Sequence, residues 1–181
     1  FRTVFWFAVF PAVIAVLLLM FGVEEPHAVV RGRAPVAAIG WRSLGELERG
    51  YWLVVVAGGV FTLARFSEAF LILRAQQLGL PDALAPLVLV VMNVVYALSA
   101  YPVGKLADRM SHLKLLVAGL VTLVAADLVL AHAQGLTAIA IGVALWGLHM
   151  GMTQGVLATM VAAAAPAHLR GTALGFFNLA S

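Results

Sequence analysis

The sequence predicts an all-α fold, a polytopic transmembrane helix bundle of which this chain is a part. Three observations predict it. Apolar residues fill 64% of the 181 positions and charged residues 10%, against about 25% charged in an ordinary soluble domain. The apolar residues fall in blocks long enough to cross a bilayer, for which roughly 20 suffice. The charges collect between the blocks, mostly on alternate loops. There are no cysteines, which excludes a disulfide framework and thiolate metal ligation. The chain opens at Phe1 without a methionine and stops at Ser181, inside an apolar stretch that begins at Gly171. The expectation is a segment of a longer protein.

Val4–Val23 is the first apolar block. It is longer than the roughly 7–15 residues of a signal-peptide core, and Val23-Glu24-Glu25-Pro26 offers no small-residue cleavage site. It reads as a membrane helix. Glu24–Gly50 is a polar linker broken by Gly32, Pro35 and Gly40, with a short interfacial helix expected at Trp41–Leu47. Tyr51–Leu73 is the second helix, running on toward Gln77. Gly79 and Pro81 make Leu78–Ala83 a tight turn. Leu84–Val103 is the third helix, Gly104–Lys114 a charged loop, and Leu115–His132 the fourth helix. Ala133–Gly135 is a short turn, Leu136–Ala165 the fifth helix, Pro166–Arg170 a loop, and Gly171–Ser181 the start of a sixth.

Alternating spans put the linker and the loops 104–114 and 166–170 on one side. They carry Arg31, Arg33, Arg42, Arg49, Lys105, Arg109, Lys114 and Arg170, eight basic residues against Arg2 and Arg74 opposite. The positive-inside rule assigns the eight to the cytoplasm.

The loop after the third helix reads Gly104-Lys-Leu106-Ala107-Asp108-Arg109-Met-Ser111-His112-Leu113-Lys114. It resembles the signature loop of the major facilitator superfamily, G-x-L-A-D-R-x-G-R-R/K. The first half matches. In the second half Ser111 replaces a glycine, and His112 and Leu113 replace basic positions, with Lys114 in partial compensation. His168-Leu-Arg170-Gly-Thr-Ala173-Leu-Gly175 resembles the start of that family's eleventh helix. The resemblance implies twelve helices in two halves around a central cavity that opens to each side in turn. It aligns residues 1–23 with the last helix of the first half, 24–50 with the cytoplasmic linker, and 51–181 with most of the second half. It further implies a multi-pass carrier, expected in a bacterial inner membrane and embedded in the lipid bilayer. The expected partners are a small-molecule substrate and protons, with no cofactor and no nucleic acid.

Within that frame Gly104, Asp108 and Arg109 form a cytoplasmic gating loop. Gly104 permits close helix approach, and Asp108 accepts from a helix end or pairs with an arginine. Ionisable groups at membrane depth point to function. Arg65 lies about 21 Å along the second helix from Tyr51. Glu68, three residues on, shares its helix face and is expected to pair with it, contacting an anionic group or carrying a proton. Asn93 and Tyr96 share a face of the third helix and are read as cavity lining. In the fifth helix Gly147, Gly151 and Gly155 form a close-packing stripe. His149 projects about 200° away from Gly151 and is expected to face an aqueous cavity as a coupling residue. Gln154 is assigned to packing beside the stripe, and Asp127 to a structural role.

Walker-A, Rossmann and H-E-x-x-H patterns are absent from the sequence, so the chain is expected not to be an enzyme, and no metal site is expected. The leading function is secondary transport of a small solute; a non-transporting membrane sensor on the same helices is the alternative. If the gating loop acts as a latch, Asp108→Asn lowers transport while the membrane-inserted yield stays at wild-type level, as uptake measured beside quantified membrane protein would show.

Overall fold

A computed structural model of the chain describes residues 47–180, together with Val13, Ile14, Val16, Leu17, Met20, Phe21 and Gly45. Residues 1–38 and 39–181 are two compact units. In the first, the described positions from Val13 to Phe21 are helical, within the block Val4–Val23. The rest of that block, the expected interfacial helix apart from Gly45 and Leu47, and Arg31, Arg33 and Arg42 lie outside the described residues. All other described residues belong to the second unit.

The described part of the second unit is built of helices: α1 Arg49–Ala64, α2 Ala69–Gln77, a 3-10 turn Asp82–Leu84, α3 Ala85–Ala107, α4 His112–Ala131, α5 Leu136–Ala164 and α6 Arg170–Ala180. Four stretches are long and apolar enough to cross a bilayer: Arg49–Gln77, Asp82–Ala107, His112–Ala131 and Leu136–Ala164. The loop between α3 and α4 is shorter than expected. Both helices wind into it until only Asp108–Ser111 stay non-helical, because in hydrocarbon every backbone group needs a partner within its own segment.

Helix ends follow local chemistry. At the end of α2 the Leu80 N–H bonds the Ala75 carbonyl at 3.0 Å and the Gly79 N–H bonds the Gln76 carbonyl at 3.0 Å. This is the paired Schellman closure, and it needs a left-handed residue; Gly79 supplies it with φ +95°. Gln76 Nε2 donates to Asp82 Oδ1 at 2.9 Å and fastens the turn. Pro86 sits in the first turn of α3, where its missing N–H costs nothing.

Helix α5 is the centre. Its buried residues include Ile139, Val143, Trp146, His149, Met150, Thr153, Val156 and Val161, spread around the helix rather than along one stripe. A helix apolar all round belongs in an interior. Two clusters of buried side chains form around it, one toward each end. Tyr51, Val55, Leu115, Val161, Ala173 and Phe177 belong to the first; Leu71, Met92, Leu123, Ala126, Val143 and Trp146 belong to the second. The Tyr51 hydroxyl donates to the Ala173 carbonyl at 3.0 Å and ties the start of α1 to α6.

Small residues set the spacing of α5 from its neighbours. A Cβ at Gly147 would collide with the Met92 backbone carbonyl, and one at Gly151 with Ser99 Oγ; a Cβ at Gly155 would meet nothing within 4 Å. The stripe therefore packs α3 at its first two glycines only. On the α4 side, a Cβ at Gly142 would lie 2.6 Å from Leu130 Cγ. Forced overpacking costs about 1–3 kcal/mol. Gly147→Ala should destabilise the detergent-solubilised protein by an amount in that range and so lower its thermal midpoint, and Gly155→Ala should leave the midpoint unchanged.

Candidate substrate cleft and gating loop

The expected second helix is not continuous. Residues 65–68 leave the helical path between α1 and α2, although Arg49–Gln77 is one apolar stretch of 29 residues and Arg65 is its seventeenth. The break carries neither glycine nor proline. Arg65 is the C-cap of α1 in extended geometry, φ −93° and ψ 124°, its N–H returning to the Thr62 carbonyl. Glu68 is the N-cap residue of α2. A cation thus stands at a negative helix end and an anion at a positive one, the favourable arrangement for both. Thr62 Oγ1 donates to the Gly58 carbonyl at 3.0 Å one turn earlier, a back-bond that bends helices.

This geometry corrects the expected Arg65–Glu68 pair. The three-residue spacing puts two side chains on one face only while the helix runs on, and here it ends between them. Arg65 makes no side-chain hydrogen bond with any described residue, and its Nε is enclosed without a partner. An uncompensated arginine at mid-depth costs about 2.5–3.5 kcal/mol on insertion scales.

Two aromatic contacts pin the break to α5. Phe66 packs on Trp146 with ring centroids 4.4 Å apart, and Phe61 stacks parallel to His149 at 6.2 Å. Arg65 opens on a cleft of about 310 Å³ between α1, α5 and α6, lined also by Thr62, Thr153, Gln154, Phe177 and Asn178. Gln154, expected in packing, is therefore a lining residue.

His149 departs from expectation in the opposite sense. It is 0% exposed. Its Nδ1 lies 2.8 Å from the Gly119 carbonyl oxygen of α4. That oxygen only accepts, so the ring proton sits on Nδ1. Nε2 is buried without a partner. A Cβ on Gly119 would collide with Thr153 Cγ2, so Gly119 lets α4 approach α5 closely at the level of the imidazole. The face opposite the glycine stripe meets another helix and not water, because α5 is covered on both sides.

The remaining expected residues sit elsewhere. Tyr96, Gly104 and Asp108 line a second cleft of about 320 Å³, with His112, Gly155 and Thr159. No atom would lie within 4 Å of a Cβ on Gly104, and the Asp108 side chain bonds to no described residue. The expected close helix approach and the expected latch contact are thus not made among the described residues. Arg109 is exposed at the same loop. Asn93 is exposed and donates to the Leu89 carbonyl of its own helix at 2.8 Å; it lines neither cleft. Among the described residues no group of three or more metal-ligating side chains comes together.

Comparison with protein families matches residues 1–181 to the Major Facilitator Superfamily. The chain belongs to the Major Facilitator Superfamily. No curated protein and no solved structure matches it. Members of this superfamily are membrane transporters, and the four apolar spans place this member in a membrane as a multi-pass protein.

In this superfamily member the end of the bundle at the Gly79 turn holds a third polar group. Arg74 donates from Nη2 to the Ala133 carbonyl at 2.9 Å and from Nε to the Leu130 carbonyl at 3.4 Å, satisfying carbonyls at the C-terminal end of α4. Asp127 lies against the same hollow, with Oδ1 buried and unpartnered.

Thr62, Thr153, Gln154 and Asn178 carry no sequence signal of their own; polar residues scattered through apolar spans are the only hint. A single-cysteine comparison tests the placement, since the 181 residues contain no cysteine of their own. A cysteine at 154 should react with a small water-soluble thiol reagent, and one at 149 should not. Equal labelling of the two in folded protein would contradict the buried histidine.

Proposed function

We propose that this chain is part of a secondary transporter that moves a small solute by alternating access and couples the movement to a proton. The observation that carries the reading is the mid-span break at Arg65–Glu68 beside a polar-lined cleft. Non-helical backbone at membrane depth is tolerated where it is buried in protein or lines a water-filled cavity. In carriers, discontinuous helices of this kind form substrate and ion sites near the bilayer midplane. Arg65 contacts the solute from the C-terminal end of α1. Glu68, half-buried at the start of α2, carries the coupling proton. The linker and the loops 104–114 and 166–170 lie on the cytoplasmic side, supported by their excess of basic residues. Gly104, Asp108 and Arg109 act there as the gating loop. Residues 1–23 are the last helix of the first half, and 51–181 belong to the second.

Proteoliposomes test this. The wild-type protein should exchange labelled solute in counterflow and accumulate it under an imposed pH gradient. Glu68→Gln should keep counterflow and lose accumulation. Loss of neither in the variant would remove Glu68 from coupling, and absence of exchange by the wild type would remove the carrier reading.

A further inference from the structure

The cleft at the helix break has a chemical character that names the class of its occupant. Among the described residues its only charged lining residue is Arg65, and no acidic side chain lines it. Glu68, the carboxyl closest in sequence, begins α2 and is not among the lining residues. Thr62 and Thr153 also line it, but both hydroxyls already donate to carbonyls of their own helices, Gly58 at 3.0 Å and His149 at 2.9 Å. Each hydroxyl has spent its one proton and offers only lone pairs. The donors left over are the Arg65 guanidinium and the amides of Gln154 and Asn178, none of which bonds to another described side chain. Three donor groups and one positive charge therefore converge on a space without a counter-ion among the described residues.

The rest of the wall is apolar, from Phe61, Leu157 and Phe177. The Phe177 ring lies directly on Gly58, where a Cβ would collide with it. The volume, about 310 Å³, falls at the lower end of the roughly 300–1,000 Å³ of small-molecule pockets. A planar carboxylate fits a guanidinium through two parallel N–H bonds. A doubly charged phosphate would leave one charge unmatched in this cleft.

Resting on the transporter reading above, we infer that the cleft binds a small monocarboxylate with an apolar or aromatic body. The carboxylate is held by Arg65, with Gln154 and Asn178 completing its hydrogen bonds. The body lies between Phe61 and Phe177. Gly58 sets the width of the cleft, because it alone leaves room for Phe177 to sit back against α1.

Calorimetric titration of the purified intact protein with 3-phenylpropionate, 3-phenylpropionamide and inorganic phosphate tests this. The acid should bind, and the amide should bind at least about tenfold more weakly, since one charge-assisted contact of that kind is worth a factor near ten. Phosphate should not compete. Arg65→Gln should bring the acid down to the level of the amide, and Arg65→Lys should restore part of the difference. Removing an unpaired charge from mid-membrane should not harm folding, which the gel-filtration profile of the variant checks. Gly58→Ala, which pushes Phe177 toward the cleft, should weaken the acid and the amide alike and leave their ratio intact. Equal affinity for acid and amide, or an acid affinity unchanged in Arg65→Gln, overturns the inference. If that happens while the protein still exchanges some other solute in counterflow, the transporter reading stands and the substrate class falls. If the acid binds as described but is never moved across the liposome membrane, the site stands and the transporter reading falls.

Discussion

Every peptide group that enters hydrocarbon must find its hydrogen bond inside the protein, and the architecture is an answer to that demand. It explains why α3 and α4 wind into the loop between them, and why the end of α2 closes with two carbonyl bonds before the chain turns. It also explains why the relaxation of the rule at Arg65–Glu68 is so closely attended. Two aromatic contacts hold the break against α5, and each of its charges sits at the helix end of opposite sign. Unpartnered polar atoms of Arg65, Trp146 and His149 gather near the same level. The cost of an interrupted helix and that of a lone cation are thus met in one place.

The two core clusters give this place its mechanical setting. Helix α1 packs into one through Tyr51 and Val55, and α2 into the other through Leu71 and Ala75. The break falls between them. Each half of the span is thus anchored to a different body of side chains, while α5 runs through both. The cleft opens beside the first cluster, whose Leu157 and Phe177 form part of its wall.

The spans are legible in the sequence because apolar length is a strong signal and because Gly79, Pro81, Pro166 and the charged loop punctuate it. The break is not. Arg65-Phe66-Ser67-Glu68 contains no residue that forbids a helix, and the interruption arises from tertiary anchoring of the two halves. His149 escapes a sequence reading for a related reason. Angular position relative to a glycine stripe tells which side faces one neighbour, but not what covers the opposite side, and here α4 covers it, with the Gly119 carbonyl bonded to the imidazole. Gln154 defeats the same arithmetic: a residue near the stripe in angle can still lie below the end of the helix contact. The Gly104–Arg109 resemblance locates the family correctly, since residues 1–181 match it throughout. The contacts expected of that loop are not among those the described residues make.

The unequal glycine stripe of α5 has a mechanical consequence. Backbone touches backbone at Gly147, and Ser99 fills the hollow at Gly151, yet at Gly155 the space beside the helix is open. Two rods pressed together at one level and parted below it resist sliding, because sliding would drive Met92 and Ser99 into side chains larger than glycine. The α3–α5 contact thus fixes the register of the two helices at Gly147 and Gly151, while the last turns of α3 before Asp108 rest on the first core cluster through Val103 and Ala107 rather than on the glycine stripe.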